Sequence, residues 1–162
     1  ADGPSLVSVR QAQDATGQWL LATQDGFVRS HGLLQERRLF IDARGLELRG
    51  EDILTVADVR ARDRFERMAR DGRIAFAARF QLHPAVTVEP DPGRGLVALR
   101  LPNGEVWLFR AAGGAVELED AVHFDPSAPA PTPTTQVVVR AEVVEYLGQI
   151  TWSFGRIAEA PR

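Results

Sequence analysis

Ile74, Phe76, Ala78, Phe80 and Leu82 alternate with Ala75, Ala77, Arg79, Gln81 and His83, so one side of this stretch is apolar and the other largely polar. Period-two alternation is the signature of a half-buried β-strand, because successive side chains leave opposite faces. The same pattern recurs along the chain. It predicts strands at residues 5–12, 18–25, 35–42, 46–54, 74–82, 85–89, 95–101, 105–112, 115–122, 135–146 and 149–157. The inward sides include Val97, Leu99 and Leu101, then Val137, Val139 and Val143, then Ile150, Trp152 and Phe154. Over 105–110 both parities are apolar (Val106 and Leu108 against Trp107 and Phe109), which predicts a strand covered on both sides. Glycine- and asparagine-containing turns separate the strands, including Gly93–Gly95 and Gly113–Gly114. Asn103-Gly104 is expected to make a type I′ hairpin. The pattern predicts an all-β antiparallel sandwich of about ten strands.

Two stretches depart from it. Residues 55–73 carry Ala57, Ala61, Phe65, Met68 and Ala69 at helical spacing, with Thr55 and Asp58 as a candidate capping box; they read as a short helix or a charged loop. Residues 125–134 hold four prolines and read as an extended, polyproline-like loop.

The 162 residues fit a single sandwich domain spanning 1–162, and no apolar run approaches the roughly 18 residues of a membrane span. All 19 basic residues are arginine, yet the net charge is −3, which argues against a general nucleic-acid binder, and no membrane partner is expected. Absence of cysteine excludes disulfides and thiolate metal sites and leaves cytoplasm and periplasm equally open. The start, Ala-Asp-Gly-Pro-Ser, suggests a processed product or a fragment of a longer protein.

Candidate chemistry is sparse. His31, His83 and His123 have no second histidine at helical metal-ligand spacing, so no metal or cofactor is expected. Pro84 holds His83 extended and fixes where its side chain leaves the strand. Glu51 and Asp52 are adjacent on a strand, and therefore on opposite faces unless Gly50 makes a bulge; pairing with arginine suits them better than joint acid–base work. Glu117 and Glu119 share one polar face. No serine elbow or phosphate-binding glycine loop occurs. Residues 58–73 contain six arginines and four acids, a solvated charged segment first and an anionic-glycan contact second. His83, Trp107 and Arg79 are the candidate substrate contacts.

The order of motifs resembles the C-terminal region of bacterial heparinase II/III-like proteins. The likeness rests on Asp25-Gly26-Phe27, Glu36-Arg37-Arg38-Leu39, the Leu48–Leu54 stretch with Gly50-Glu51-Asp52, Phe80–Pro84, Leu101–Trp107 and Glu117–Glu119. It implies a chain that follows an N-terminal α/α toroid, in a polysaccharide lyase that cleaves uronate-containing glycans by β-elimination. The family's catalytic groups lie mainly on the toroid and in a His-x-His-x-Asp type motif; neither is present, so no catalytic residue carries over, Tyr146 included. Many relatives have histidine where this chain has Gln35, in a Gly-x-x-His-x-Arg pattern. The expectation is a non-catalytic C-terminal sandwich whose partners are the toroid of the same protein and an anionic polysaccharide. The alternative is a carbohydrate-binding or assembly sandwich without a catalytic parent.

Overall fold

The computed structural model describes residues 3–127 and 129–157. Eleven antiparallel strands form: β1 (Val7–Gln13), β2 (Gly17–Gln24), β3 (Leu33–Asp42), β4 (Glu47–Val56), β5 (Arg73–Gln81), β6 (Thr87–Asp91), β7 (Leu96–Arg100), β8 (Val106–Ala112), β9 (Ala115–His123), β10 (Thr132–Val144) and β11 (Leu147–Arg156). Two helices interrupt them, the single turn α1 (Val28–His31) and α2 (Val59–Met68).

Eight strands follow the order β1-β2-β3-β4-β11-β8-β7-β6, while β5 and β9 flank β10 in a second layer. The layers are joined where β10 turns into β11 at the Val144–Leu147 pair. The fold is therefore an all-β sandwich.

Its core is made by the alternation that the sequence displays. Val97, Phe109, Ile150 and Trp152 from the long layer meet Ala78, Val137 and Val139 from the short one. Phe80 sits at the centre, its ring 5.1 Å from Phe109, 4.8 Å from Trp152 and 5.6 Å from Phe154. The strand covered most completely on both sides is β10, where Val137, Val138 and Val139 are all fully buried. In β8 only Phe109 is buried outright, and Val106, Trp107 and Leu108 are partly covered. The expectation for 105–110 thus holds in weaker form, with both parities of β8 at least partly covered over 106–109.

Residues 59–68 are helical, but the cap differs from the expected box. Thr55 is still in β4, and Asp58 is the N-cap, its carboxylate accepting from Ala61 N–H at 2.8 Å. Ala61 and Phe65 are buried, whereas Met68 is exposed. Phe65 seals one end of the sandwich against Leu33, Leu54 and Val143.

Two turns also differ. At 101–105, Gly104 N–H donates to the Leu101 carbonyl at 3.0 Å, and only Gly104, not Asn103, has positive φ (86°). Pro102 fixes the negative φ of a type I turn, and Gly104 supplies the left-handed residue after it. Both central φ values are positive instead at Glu145 (49°) and Tyr146 (71°), so the type I′ turn joins β10 to β11 and Tyr146 leaves the strand that alternation assigned to it. The proline-rich stretch is strand from Thr132 onward, with Pro133 opposite Val122 of β9. The rest of that expectation includes residue 128, outside the described residues.

Candidate functional site

The register places Arg37 opposite Asp52 and Asp52 opposite Ile150, so all three side chains face the space between the layers. Asp52 is 4% exposed, the one charged residue in the buried set. A buried carboxylate needs full compensation, and three donors provide it. Asp52 Oδ1 accepts from Arg37 Nε–H at 2.6 Å; Oδ2 accepts from Arg37 Nη2–H at 2.9 Å and from Trp152 Nε1–H at 2.9 Å. Glu51, on the opposite face, pairs with Arg38 at 3.1 Å and accepts from Gln149. The two adjacent acids are therefore separated and arginine-paired, with Gly50 in regular register rather than in a bulge.

Arg37 is fixed by this carboxylate yet keeps its side chain 38% exposed, and its Nη1 is not used by Asp52. It lines a groove of about 250 Å³ between the layers. Phe27 and His31 lie at the mouth, Gln35, Arg37 and Asp52 along one wall, and Ile74–Ala78 of β5 along the other. Gln35 is held by Gln24, whose Nε2–H donates to Gln35 Oε1 at 2.6 Å. An apolar groove with a pre-oriented guanidinium, an amide and an imidazole is suited to orienting a carboxylate- or hydroxyl-bearing ligand.

Of the sequence candidates, Arg79 and His83 share the outward face of the short layer, and Trp107 belongs to the other layer. Arg79 pairs with Glu119 at 2.6 Å, and Arg140 bonds both Glu117 and Glu119. The Arg79 hydrogen bond, followed by the charges of Arg79 and Arg140, holds the Glu119 carboxyl below its usual range. His83 is exposed just beyond β5, and its Nδ1 accepts from Ala85 N–H at 3.1 Å, closing the turn that Pro84 begins. Its ring lies 5.2 Å from that of His123. Asp125 is nearby; hydrogen bonds from Ser127, with smaller contributions from the two histidines, lower its pKa. Among the described residues, no three His, Asp or Glu side chains converge as a metal site.

Trp107 is partly buried against the core and donates its indole N–H to Glu105 at 3.2 Å. The open indole is Trp19, 47% exposed on β2, stacked 4.3 Å from Phe40, over which Arg49 lies at 4.6 Å. Sequence reasoning preferred Trp107 to Trp19 and missed the Arg37–Asp52–Trp152 triad. Parity alone did carry a signal for the triad, since it points Arg37 and Asp52 to the same side as Leu39 and Leu54.

Tyr146, the single tyrosine, is tied to α2. Its hydroxyl donates to Glu66 at 2.9 Å, and that bond, with desolvation and the Glu66 charge, raises its pKa.

The family model described as Heparinase II/III-like, C-terminal, matches residues 3–153. The chain belongs to the heparinase II/III-like C-terminal family. It is 33% identical over 154 residues to FtsZ-localized protein C of Caulobacter vibrioides, covering 93% of this chain and 25% of that protein. The fold is shared with heparan sulfate lyase HepC of Pedobacter heparinus (TM-score 0.71, 9% identity, 96% of this chain and 23% of that one). It is shared too with a heparinase III (TM-score 0.68, 11% identity, 95% of this chain and 22% of that one). The chain thus spans about a quarter of the length of the curated relative it matches.

Proposed function

We propose that this sandwich, residues 1–162, is a non-catalytic C-terminal domain of a longer heparinase II/III-like chain that cleaves uronate-containing glycans by β-elimination, with a toroid preceding it. In this reading the interlayer groove forms one wall of the glycan path. The observation that carries it is the state of Arg37. Asp52 and Trp152 hold its guanidinium in one orientation while leaving part of it open to the groove, an arrangement suited to neutralising a uronate carboxylate but not to taking a proton. Proton abstraction requires a base; the single tyrosine is bound to Glu66, and in this reading the base belongs to the toroid rather than to His31 at the groove. Arg79 and His83, on the outward face, and Trp107, in the other layer, lie outside this groove and are proposed only as separate secondary contacts.

The test is a comparison of this chain with the full-length protein on heparin, heparan sulfate and alginate, following the ultraviolet absorbance of the unsaturated product. Activity is expected only from the full-length protein, with Arg37→Ala raising KM more than it lowers kcat. Robust turnover by the 162-residue chain alone overturns the reading.

An assembly role is the second reading. The relative named FtsZ-localized protein C is 33% identical across 93% of the chain, whereas the lyase structures are 8–11% identical and share the fold alone. Co-sedimentation of the chain with polymerised FtsZ, retained in Arg37→Ala, would favour it; a chain left wholly in the supernatant would count against it.

A further inference from the structure

Among the described residues most strand and loop arginines are ion-paired, Arg10 of β1 and Arg110 of β8 being exposed exceptions, whereas the arginines on and beside the helices are clustered and unpaired. In and between the strands, Arg37, Arg38, Arg44, Arg49, Arg73, Arg79, Arg94, Arg100, Arg140 and Arg156 each lie within 4.0 Å of a carboxylate oxygen. On and beside the two helices, Arg29, Arg60, Arg62, Arg64, Arg67 and Arg70 have no such partner among the described residues. All six are exposed.

Asp58 caps the helix and Glu66 accepts from Tyr146, and with Asp63 and Asp71 these acids leave a local excess of positive charge against the six arginines. Arg62 lies over the Tyr146 ring at 4.7 Å. Arg60, Arg64 and Arg67 follow i, i+4 and i+7 spacing, which aligns them on one helix face over about 10 Å. Gly32 brings the end of α1 against the Ala61–Phe65 side of α2. Its φ is 74°, and a Cβ there would lie 3.1 Å from Phe65 N and closer still to the Ala61 carbonyl. The approach lets Arg64 Nη1 donate to the Arg29 carbonyl, so one arginine of the row is tethered.

We infer that the α1–α2 face, carrying Arg29, Arg60, Arg64 and Arg67, is a docking surface for an acidic, partly apolar protein segment. Unpaired guanidinium groups on a helix are complementary to carboxylates and are favoured at protein interfaces. Large apolar side chains accompany them: Val59 is 81% exposed, Met68 48% and Phe27 42%. A sulfated glycan would gain nothing from Val59 or Met68. A peptide mixing acidic and apolar residues uses both features.

The test is fluorescence anisotropy with the intact chain and three labelled probes: a synthetic peptide alternating Glu or Asp with Leu, a heparin oligosaccharide, and vesicles of anionic phosphatidylglycerol. The peptide is expected to bind, to weaken as salt is raised, and to lose about tenfold in affinity in Arg60→Glu/Arg67→Glu, while Arg94→Glu/Arg100→Glu, equal in charge change, binds nearly as wild type. Circular dichroism and the unfolding midpoint verify that both variants are folded. Equal loss in the two variants, no binding of the peptide, or tighter binding of heparin or vesicles than of the peptide overturns the inference.

Discussion

Trp152 lies across Gly50 on the neighbouring strand, so close that a Cβ at position 50 would sit 2.6 Å from indole Cη2 and nearer still to Cζ2 and Cε2. The missing side chain is what lets the indole reach across β4 and aim its N–H at Asp52. Trp152 is 6% exposed and packed against Phe80 and Phe154, so a side chain at position 50 would have to displace a buried ring.

Gly50→Ala is therefore expected to destabilise the fold by about 1–3 kcal/mol, the usual cost of overpacking a tight core. Urea unfolding followed by tryptophan fluorescence measures it. An unchanged midpoint would show that the ring slides aside.

Asp52→Asn keeps the shape but removes the charge that Arg37 answers. The pair is asymmetric, with the carboxylate buried and the arginine 38% exposed, so solvent offsets part of the loss. A cost of about 1–3 kcal/mol is expected. Trp152→Phe removes one of three donors and part of the packing, and the double variant should cost less than the sum because both act on one carboxylate. Additive effects in chemical denaturation would show that the triad is not a unit.

Glu145 holds a positive φ of 49° in the type I′ turn, a region that asparagine enters more readily. Glu145→Asn is expected to raise stability by about 0.5–1 kcal/mol. Tyr146→Gly, although it too suits the turn, should destabilise, since it strips the ring from Phe65 (5.3 Å) and Arg62. A thermal melt distinguishes the two directions.

Asp25 ties the start of β1 to the β2–α1 turn, accepting from Leu6 N–H at 2.9 Å, Ser5 N–H at 2.8 Å and Ser5 Oγ–H at 2.7 Å. The Leu6 bond, then those of Ser5, lower its pKa below the ordinary 3.8. A depressed carboxylate stabilises the fold above its ordinary value, and that contribution disappears as the pH falls through the lower, folded-state value. Amide exchange at Leu6 and Val7 should therefore accelerate, relative to the core, as the pH drops below 3.8. Asp25→Asn should remove that pH dependence.

All eleven strands were predicted, most of them because a strand with one face on the core carries period-two burial in its sequence; β1, exposed at all seven positions, and the fully buried Val137–Val139 run of β10 do not show that period. The Phe65 side of α2 was legible for the analogous reason at helical period. Turn type was not. Asn103-Gly104 suits a type I′ turn locally, but Pro102 fixes the preceding φ, while Glu145-Tyr146 carries no turn signal and is held in place by Tyr146 packing on α2. The strand breaks at Val144 because the β10–β11 register requires it, not because residue preference does.

The sequence by itself thus determined the fold class, the strand order along the chain, the inward set around Phe80 and Trp152, and the pairing of Glu51 and Asp52 with arginine. Only the tertiary structure decided which arginine meets Asp52, that Trp152 joins them from 100 residues away, that His83 and His123 adjoin while Trp107 stands apart, and that the helix arginines are unpaired. Side-chain parity is fixed within a strand, where covalent geometry sets it. Partnership across strands depends on register and on how the two layers stack, which no local stretch of chain encodes.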